Sequence, residues 1–207
     1  MDGKSLFREH YHKFRLPGIR GRADTVTGAK SLTMPKPIIF IIVSMLLVRA
    51  ASAQSRPLSV GDTIPSFSLR DQDGKIFQYR DHVGKNIMVI YFYPKDESAV
   101  CTKEACAFRD NYLGFTKAGA LVIGINSADS ASHKSLQQHH QLPFILLSDP
   151  HNEVLKLFGV KGKFLFTGRE TFVVDLSGKI VYTYNSFTHG PDHAGKTLQF
   201  IQDMKKN

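Results

Sequence analysis

The two cysteines of this 207-residue chain, Cys101 and Cys106, lie five positions apart in a segment that follows Pro94. A thiolate is a strong nucleophile, and two thiols can join reversibly as a disulfide. A pair of thiolates can also bind copper, and a purely structural disulfide needs the same two residues. The chemistry that this spacing permits therefore depends on the element that carries both side chains.

A helix is predicted to carry both thiols. The apolar run Asn86–Tyr93, ended by Pro94, is typical of a central strand that is buried on both faces. After it, Ser98 is a suitable N-cap, so Cys101 falls at the third helical position. Free backbone N–H groups and the helix dipole favour a thiolate there. Apolar residues then recur every three or four positions until Gly119: Ala105, Phe108, Tyr112 and Phe115.

A continuous helix would keep the two cysteines apart. Residues five positions apart in a helix have Cα atoms roughly 8.6 Å from each other, whereas a disulfide requires about 7 Å or less. The helix must therefore open locally before Cys101 and Cys106 can join, which favours a catalytic cycle over a structural disulfide. A structural disulfide and two inert buried thiols stay open as alternatives at this point.

The rest of the chain alternates between strands and helices before it ends in a hairpin and a helix. This order predicts an α/β fold with a mixed central sheet flanked by helices, preceded by a small N-terminal hairpin. The predicted strands are 67–69, 76–79, 86–93, 120–126, 143–148, 170–175 and 180–184, and the later helices are 130–140, 152–158 and about 192–204.

Residues 1–53 are predicted to be a leader. The apolar run Ile38–Val48 is shorter than the ~20 residues that span a bilayer, and Ala51–Ala53 resembles a signal-peptide cleavage site. We therefore expect a start at Met34, cleavage after Ala53 and export to the periplasm or the medium. Organelle targeting and an uncleaved membrane anchor are the alternatives.

The leader also accounts for most of the charge. It holds nine of the 27 basic and three of the 18 acidic residues, so residues 54–207 carry a net charge of +3 against +9 for the whole chain. No basic stripe interleaved with aromatic residues is left for a nucleic acid. We expect residues 54–207 to form one globular domain that does not bind nucleic acid or, once cleaved, associate stably with a membrane.

The segment around the cysteines resembles the active-site signature of the peroxiredoxins. Pro94-x-x-x-Ser98-x-x-Cys101 matches P-x-x-x-[TS]-x-x-C, and Cys101-Thr-Lys-Glu-Ala-Cys106 is similar to the peroxiredoxin Q, or bacterioferritin comigratory protein, branch. The resemblance implies a thioredoxin-like fold, thiol-dependent reduction of hydroperoxides and a part in antioxidant defence. It spans most of residues 57–204, including Tyr91–Pro94, Ala105–Asp110, Leu142–Phe144, Leu147–Asp149 and Gly168–Asp175.

The resemblance also implies a role for five residues. Cys101 would attack the peroxide and become a sulfenic acid, while Ser98 and Arg169 would stabilise the developing charge. Pro94 would shield the sulfenate from water. Cys106 would then resolve it as an intramolecular disulfide, which thioredoxin or a similar dithiol would reduce. No cofactor or metal is implied, and the branch is often monomeric or weakly dimeric.

The sequence also departs from the branch pattern. Ser98 replaces the commoner threonine, and Ala99-Val100 replaces the usual Pro-Gly, so we expect the reaction rate and the stiffness of the loop to differ. The alternative from another class is an exported copper-binding chaperone module of thioredoxin-like fold. Such modules characteristically space their cysteines four apart, and His189 and His193 offer no evident third ligand for a metal.

Overall fold

The computed structural model describes residues 56–162 and 168–206, so the predicted leader, with its start at Met34 and cleavage after Ala53, lies outside the described residues. None of the described helices is long and apolar enough to cross a membrane. The strands are β1 (Ser68–Asp71), β2 (Ile76–Gln78), β3 (Ile87–Phe92), β4 (Ala120–Asn126), β5 (Ile145–Ser148), β6 (Glu170–Val174) and β7 (Ile180–Tyr184). The helices are α1 (Ala99–Asp110), α2 (Tyr112–Lys117), α3 (Ser130–His140), α4 (Glu153–Phe158) and α5 (Asp192–Met204), with a 3₁₀ turn at Tyr79–Asp81.

The strands form one mixed sheet in the order β2-β1-β5-β4-β3-β6-β7. The β3–β4 and β4–β5 pairs are parallel, and the other pairs are antiparallel. This arrangement confirms the predicted α/β class. The N-terminal hairpin is not a separate layer, because β1 pairs with β5 through Arg70↔Ser148 and Asp71↔Leu147 and so extends the central sheet to its edge.

The central strand β3 divides the interior into two cores. All six of its side chains are buried, which explains its unbroken apolar sequence. Because successive side chains point to opposite faces, Val89 and Tyr91 pack with residues of α1, α2, α3 and α5. Ile90 and Phe92 pack on the other face with α4 and the hairpin.

The helix predicted from Cys101 to Gly119 is in fact two helices. The break falls at Asn111, whose side-chain amide donates to the backbone carbonyl of Ala107 at 2.8 Å and so competes with helix continuation. The apolar spacing runs through the break because Phe108 and Phe115, on either side of it, pack in the same core. Periodicity alone therefore predicted one element.

The packing of α1 against the sheet requires a glycine in β4. The ring of Tyr91 stacks on Phe108 of α1 with centroids 4.4 Å apart, and both residues are fully buried. A Cβ atom at Gly124 would lie 2.7 Å from the Tyr91 hydroxyl oxygen and 2.9 Å from the Leu146 Cδ2 atom. Both neighbours are packed in the core, so they have little room to move.

We predict that Gly124→Ala lowers the free energy of unfolding by about 1–3 kcal/mol, because the added methyl group overpacks the contact between the sheet and α1. Urea denaturation measures the change. The matched control is Gly195→Ala in α5, where the added Cβ meets nothing within 4 Å. There we expect a gain of about 0.5–1 kcal/mol from helix propensity. A Gly124→Ala protein as stable as the parent would contradict the packing argument.

Candidate active site

Cys101 is the third residue of α1, as predicted, and its side chain is buried. The preceding Ser98 has an extended backbone and occupies the N-cap position. Its backbone carbonyl accepts from Thr102 N at 2.8 Å, but its hydroxyl donates to the Lys95 carbonyl at 3.2 Å instead of accepting from a helical N–H. Ser98 therefore begins the helix with its backbone, and its side chain belongs to the loop.

Arg169 lies directly against the thiol. Its Nη2 atom is 3.1 Å from Cys101 Sγ, its Nη1 atom binds Glu104 Oε2, and its Nε atom donates to the Phe187 carbonyl at 3.1 Å. These three contacts fix the plane of the guanidinium, whose donors form a rigid fork. The preceding Gly168 is required by close packing, because a Cβ atom there would lie 2.3 Å from the Lys161 carbonyl oxygen.

Glu104 is a site residue that the sequence analysis missed. It lies one helical turn after Cys101, so the two side chains share a face of α1. Its carboxylate is fully buried and pairs with the equally buried Arg169. A buried charge is stable only when it is paired. The signal that could have revealed it is a carboxylate at i+3 from the thiol, within the apolar face of the helix.

Behind Glu104, the ring of His193 completes a buried polar cluster. Its Nδ1 atom is 2.8 Å from Thr171 Oγ1 and 3.5 Å from Glu104 Oε1, and its Nε2 atom is 3.0 Å from the Ser186 carbonyl. Burial lowers the pKa of His193 to about 4. The neutral ring therefore donates through Nε2 to Ser186 and accepts at Nδ1 from Thr171.

The same hydrogen bonds argue against a metal site at the histidine pair noted in the sequence. Both ring nitrogens of His193 are hydrogen-bonded to other residues of the protein. His189 lies at the surface, with its Nδ1 atom 3.0 Å from Thr188 Oγ1. Within residues 56–162 and 168–206, no group of three or more His, Cys, Asp or Glu side chains could hold a metal ion.

A small cavity of about 160 Å³ opens above the thiol. It brings together four of the five predicted site residues, and most of its lining is apolar. Its walls are formed by Pro94, Lys95, Ser98, Val100, Cys101, Arg169 and Phe187. A molecule of a few heavy atoms can therefore reach Cys101 Sγ while it contacts the guanidinium of Arg169.

Cys106, the fifth predicted residue, does not line this cavity. It is partly buried further along α1, and both cysteines are free thiols. The helix runs without a break from Ala99 to Asp110 and so separates the two sulfur atoms. The predicted disulfide between Cys101 and Cys106 therefore needs the first turns of α1 to open.

Sequence comparisons place this chain in a known family. The model of the AhpC/TSA family matches residues 60–183. Peroxiredoxin Q of Triticum aestivum is 47% identical over 149 residues, which are 71% of this chain and 68% of the relative. Peroxiredoxin Q of Oryza sativa subsp. japonica is 46% identical over the same shares of both chains.

Solved structures lead to the same family. The crystal structure of peroxidoxin BcpB from Mycobacterium tuberculosis covers 71% of this chain and 98% of its own, at 30% identity and a TM-score of 0.67. A structure of Xanthomonas campestris peroxiredoxin Q covers 66% of this chain and 90% of its own, at 29% identity and a TM-score of 0.61. These likenesses confirm the predicted thioredoxin-like fold.

The comparisons also correct the predicted location. The plant relatives are named as chloroplastic proteins, which points to an organelle-targeted protein, so the prediction of a periplasmic or secreted protein is wrong. A short apolar run followed by small residues indicates a removable leader but does not by itself fix the destination.

The matched region contains both cysteines, Arg169 and the loop that begins at Pro94. The alternative of an exported copper-binding chaperone has no support in these comparisons. A thiol held against a guanidinium at the first turn of a helix, beneath a small cavity, is suited to nucleophilic attack on a peroxide. The chain belongs to the AhpC/TSA family, in its peroxiredoxin Q branch, and it is a thiol peroxidase.

Proposed function

We propose that Cys101 is the peroxidatic nucleophile of this enzyme. The observation that carries the proposal is the 3.1 Å contact between Arg169 Nη2 and Cys101 Sγ, at the base of a cavity that a small molecule can enter. The guanidinium and the N-terminal turn of α1 both place positive charge beside the sulfur atom that acts as the nucleophile. Arg169 and Ser98 also line the space where the peroxide oxygens would lie.

The first step oxidises Cys101. Its thiolate attacks one peroxide oxygen, a sulfur–oxygen bond forms, and the O–O bond breaks. The sulfur becomes a sulfenic acid, and the second oxygen takes up a proton and leaves as water or an alcohol. Arg169 stabilises the charge that develops on this leaving oxygen, because its donors are already fixed in place by Glu104 and Phe187. Pro94, at the cavity wall, limits the access of water to the sulfenate.

The second step joins the two cysteines. The thiol of Cys106 attacks the sulfenic sulfur, water leaves, and a disulfide forms. For this attack the first turns of α1 must unwind, because an intact helix holds the Cα atoms roughly 8.6 Å apart. A thioredoxin-type dithiol then reduces the disulfide and restores both thiols. One peroxide and two reductant thiols thus give an alcohol or water, a further water and the oxidised reductant.

We also propose that the substrates include small organic hydroperoxides as well as hydrogen peroxide. Val100 and Phe187 give the cavity an apolar wall against which an alkyl group can pack. Bacterioferritin comigratory protein of Xanthomonas campestris is 26% identical to this chain, and its structure matches with a TM-score of 0.63. That structure concerns the alkyl peroxide reduction activity of the Xanthomonas protein. The two lines of support are independent, because one rests on this cavity and the other on a relative.

We further propose that residues 1–53 are a leader that directs the peroxiredoxin domain, residues 54–207, to an organelle. The leader combines nine basic residues with a short apolar run, and the plant relatives are named as chloroplastic. Incubation of the full chain with isolated chloroplasts should give a shorter product that resists added protease. A chain that stays full-length and protease-sensitive would contradict this assignment.

We predict that Cys101→Ser abolishes peroxide reduction, because no nucleophile is left in the cavity. Cys106→Ser should consume one equivalent of hydrogen peroxide or tert-butyl hydroperoxide, gain about 16 Da as the sulfenic acid and then stop. The parent should lose about 2 Da on disulfide formation and regain its thiols with a dithiol. Intact mass and free-thiol titration measure these outcomes. Continued turnover by Cys101→Ser would overturn the assignment of the nucleophile.

We predict that Arg169→Lys slows the oxidation of Cys101 by about a hundredfold or more, because an ammonium group keeps the charge but loses the planar fork. The measurement is the second-order rate of thiol loss in single-turnover experiments. Arg80→Lys is the matched control, because Arg80 lies at the surface and donates through Nε to Ser66. Equal rates for the two variants would show that the fork of Arg169 plays no part.

A further inference from the structure

A second buried carboxylate lies within the loop that leads to Cys101. Asp96 stands midway between Pro94 and Ser98, and it is only 6% exposed. Each of its two carboxylate oxygens accepts two hydrogen bonds. Oδ1 accepts from Tyr93 Oη at 2.8 Å and Asn126 Nδ2 at 2.7 Å, and Oδ2 accepts from Ser132 Oγ at 2.7 Å and His133 Nδ1 at 3.0 Å.

These donors keep Asp96 ionised. Burial alone would raise its pKa, but the hydrogen bonds and charge of His133, with the hydroxyl groups of Ser132 and Tyr93, outweigh burial and lower the pKa to about 2. The donors come from the end of β3, from β4 and from α3. The carboxylate therefore ties the loop to three separate elements of the fold.

The partner His133 is fully buried, and both of its ring nitrogens face acceptors. Nδ1 points to Asp96 Oδ2, and Nε2 lies 3.2 Å from the Leu147 carbonyl of β5. Neither a backbone carbonyl nor an ionised carboxylate can donate a hydrogen bond. A ring that satisfies both acceptors carries a hydrogen on each nitrogen, which is the imidazolium form paired with Asp96.

The other groups that face this pair are neutral. Tyr93 Oη lies 3.5 Å from His133 Nδ1 and donates to Asp96, and Asn126 and Ser132 contact the carboxylate. In this form the pair consists of one cation and one anion, both withdrawn from water. Removing one partner of such a pair leaves the other charge buried and uncompensated.

The loop needs to be held, because part of its backbone is unfavourable. Glu97, next to Asp96, has a φ of 53°, in the left-handed region that non-glycine residues rarely adopt. Its carboxylate contacts His139 and His140 of α3 at 3.1 Å each. Glu97 and His139 are exposed and His140 is partly exposed, and surface pairs of this kind contribute little to stability. The buried Asp96–His133 pair is the stronger attachment of the loop to α3.

We propose that His133 is a positioning residue, and that its ion pair with Asp96 holds the loop 94–98 in the conformation that reacts with peroxide. This inference rests on the proposed function above. Pro94 and Ser98 flank Asp96 in the sequence and line the cavity, so the pair fixes the part of the cavity wall that this loop forms. Opening of the first turn of α1 must move the same loop. The pair therefore favours Cys101 oxidation and opposes disulfide formation with Cys106.

The test follows single turnovers of the reduced chain with hydrogen peroxide by rapid quenching and intact mass. In His133→Gln we expect the oxidation of Cys101 to slow by about tenfold, the effect of losing one hydrogen bond to a charged group. We expect conversion of the sulfenic acid to the disulfide to accelerate, because the loop opens more readily. Lys134→Gln is the control, because Lys134 is the next residue of α3 and pairs at the surface with Asp73. Both of its rates should match those of the parent.

A slower oxidation of Cys101 together with a faster formation of the disulfide distinguishes a positioning role from a general loss of structure. Unchanged rates in His133→Gln, or a decrease in both, would overturn the inference. Should the parent itself fail to react with peroxide, the proposed function fails first. If His133→Gln does not fold, the same rates are measured in Asp96→Asn. That substitution keeps the shape of the side chain and removes its charge.

A spectroscopic measurement tests the ion pair without any variant. In the ¹⁵N-labelled parent, both ring nitrogens of His133 should show one-bond coupling to hydrogen at neutral pH, as in an imidazolium. His193 provides the internal contrast, because its pKa of about 4 leaves a hydrogen on Nε2 alone. A single protonated nitrogen in His133 would overturn the ion pair.

Discussion

The active site depends on the buried contact between Arg169 and Glu104. A guanidinium cannot lose its proton in a protein, so its burial requires a carboxylate nearby. Glu104 supplies that charge from within α1 and leaves the Nη2 atom of Arg169 directed at Cys101. When the thiol ionises, these three groups carry one net negative charge. The partial positive charge at the start of α1 offsets it, which is why the thiol belongs in the first turn.

The sheet topology explains how residues distant in sequence meet at this point. The loop after β3 and the last residues of β4 and β5 lie at the carboxyl edge of the parallel strands, where ligands of open α/β sheets commonly bind. Strand β6 runs antiparallel to β3, so its first residue, Glu170, pairs with the last residue of β3, Phe92. Because β6 begins at this edge, Arg169, the residue before it, also lies there.

The sequence predicted the parts of this arrangement that local patterns encode. Alternation of apolar runs and turns gave the order of strands and helices, and Ser98 with Pro94 located Cys101 in the first turn. Glu104, Asp96 and His133 were not found as partners. Each is a polar residue whose burial depends on a contact 37 or more positions away along the chain, as between Asp96 and His133. Periodicity reports which face of an element is apolar but does not reveal which charges will meet within the core.

One consequence of placing both cysteines on a single continuous helix concerns heat resistance. Most proteins can gain stability from better helix formers and tighter packing near a helix end. Here the same improvements in the first turns of α1 would make the step that joins the two sulfur atoms slower. Val100 is an exposed residue in that first turn, and its β-branched side chain gives it a low helix propensity. Adaptation to higher temperature would therefore have to act on other parts of the fold and leave this turn easy to unwind.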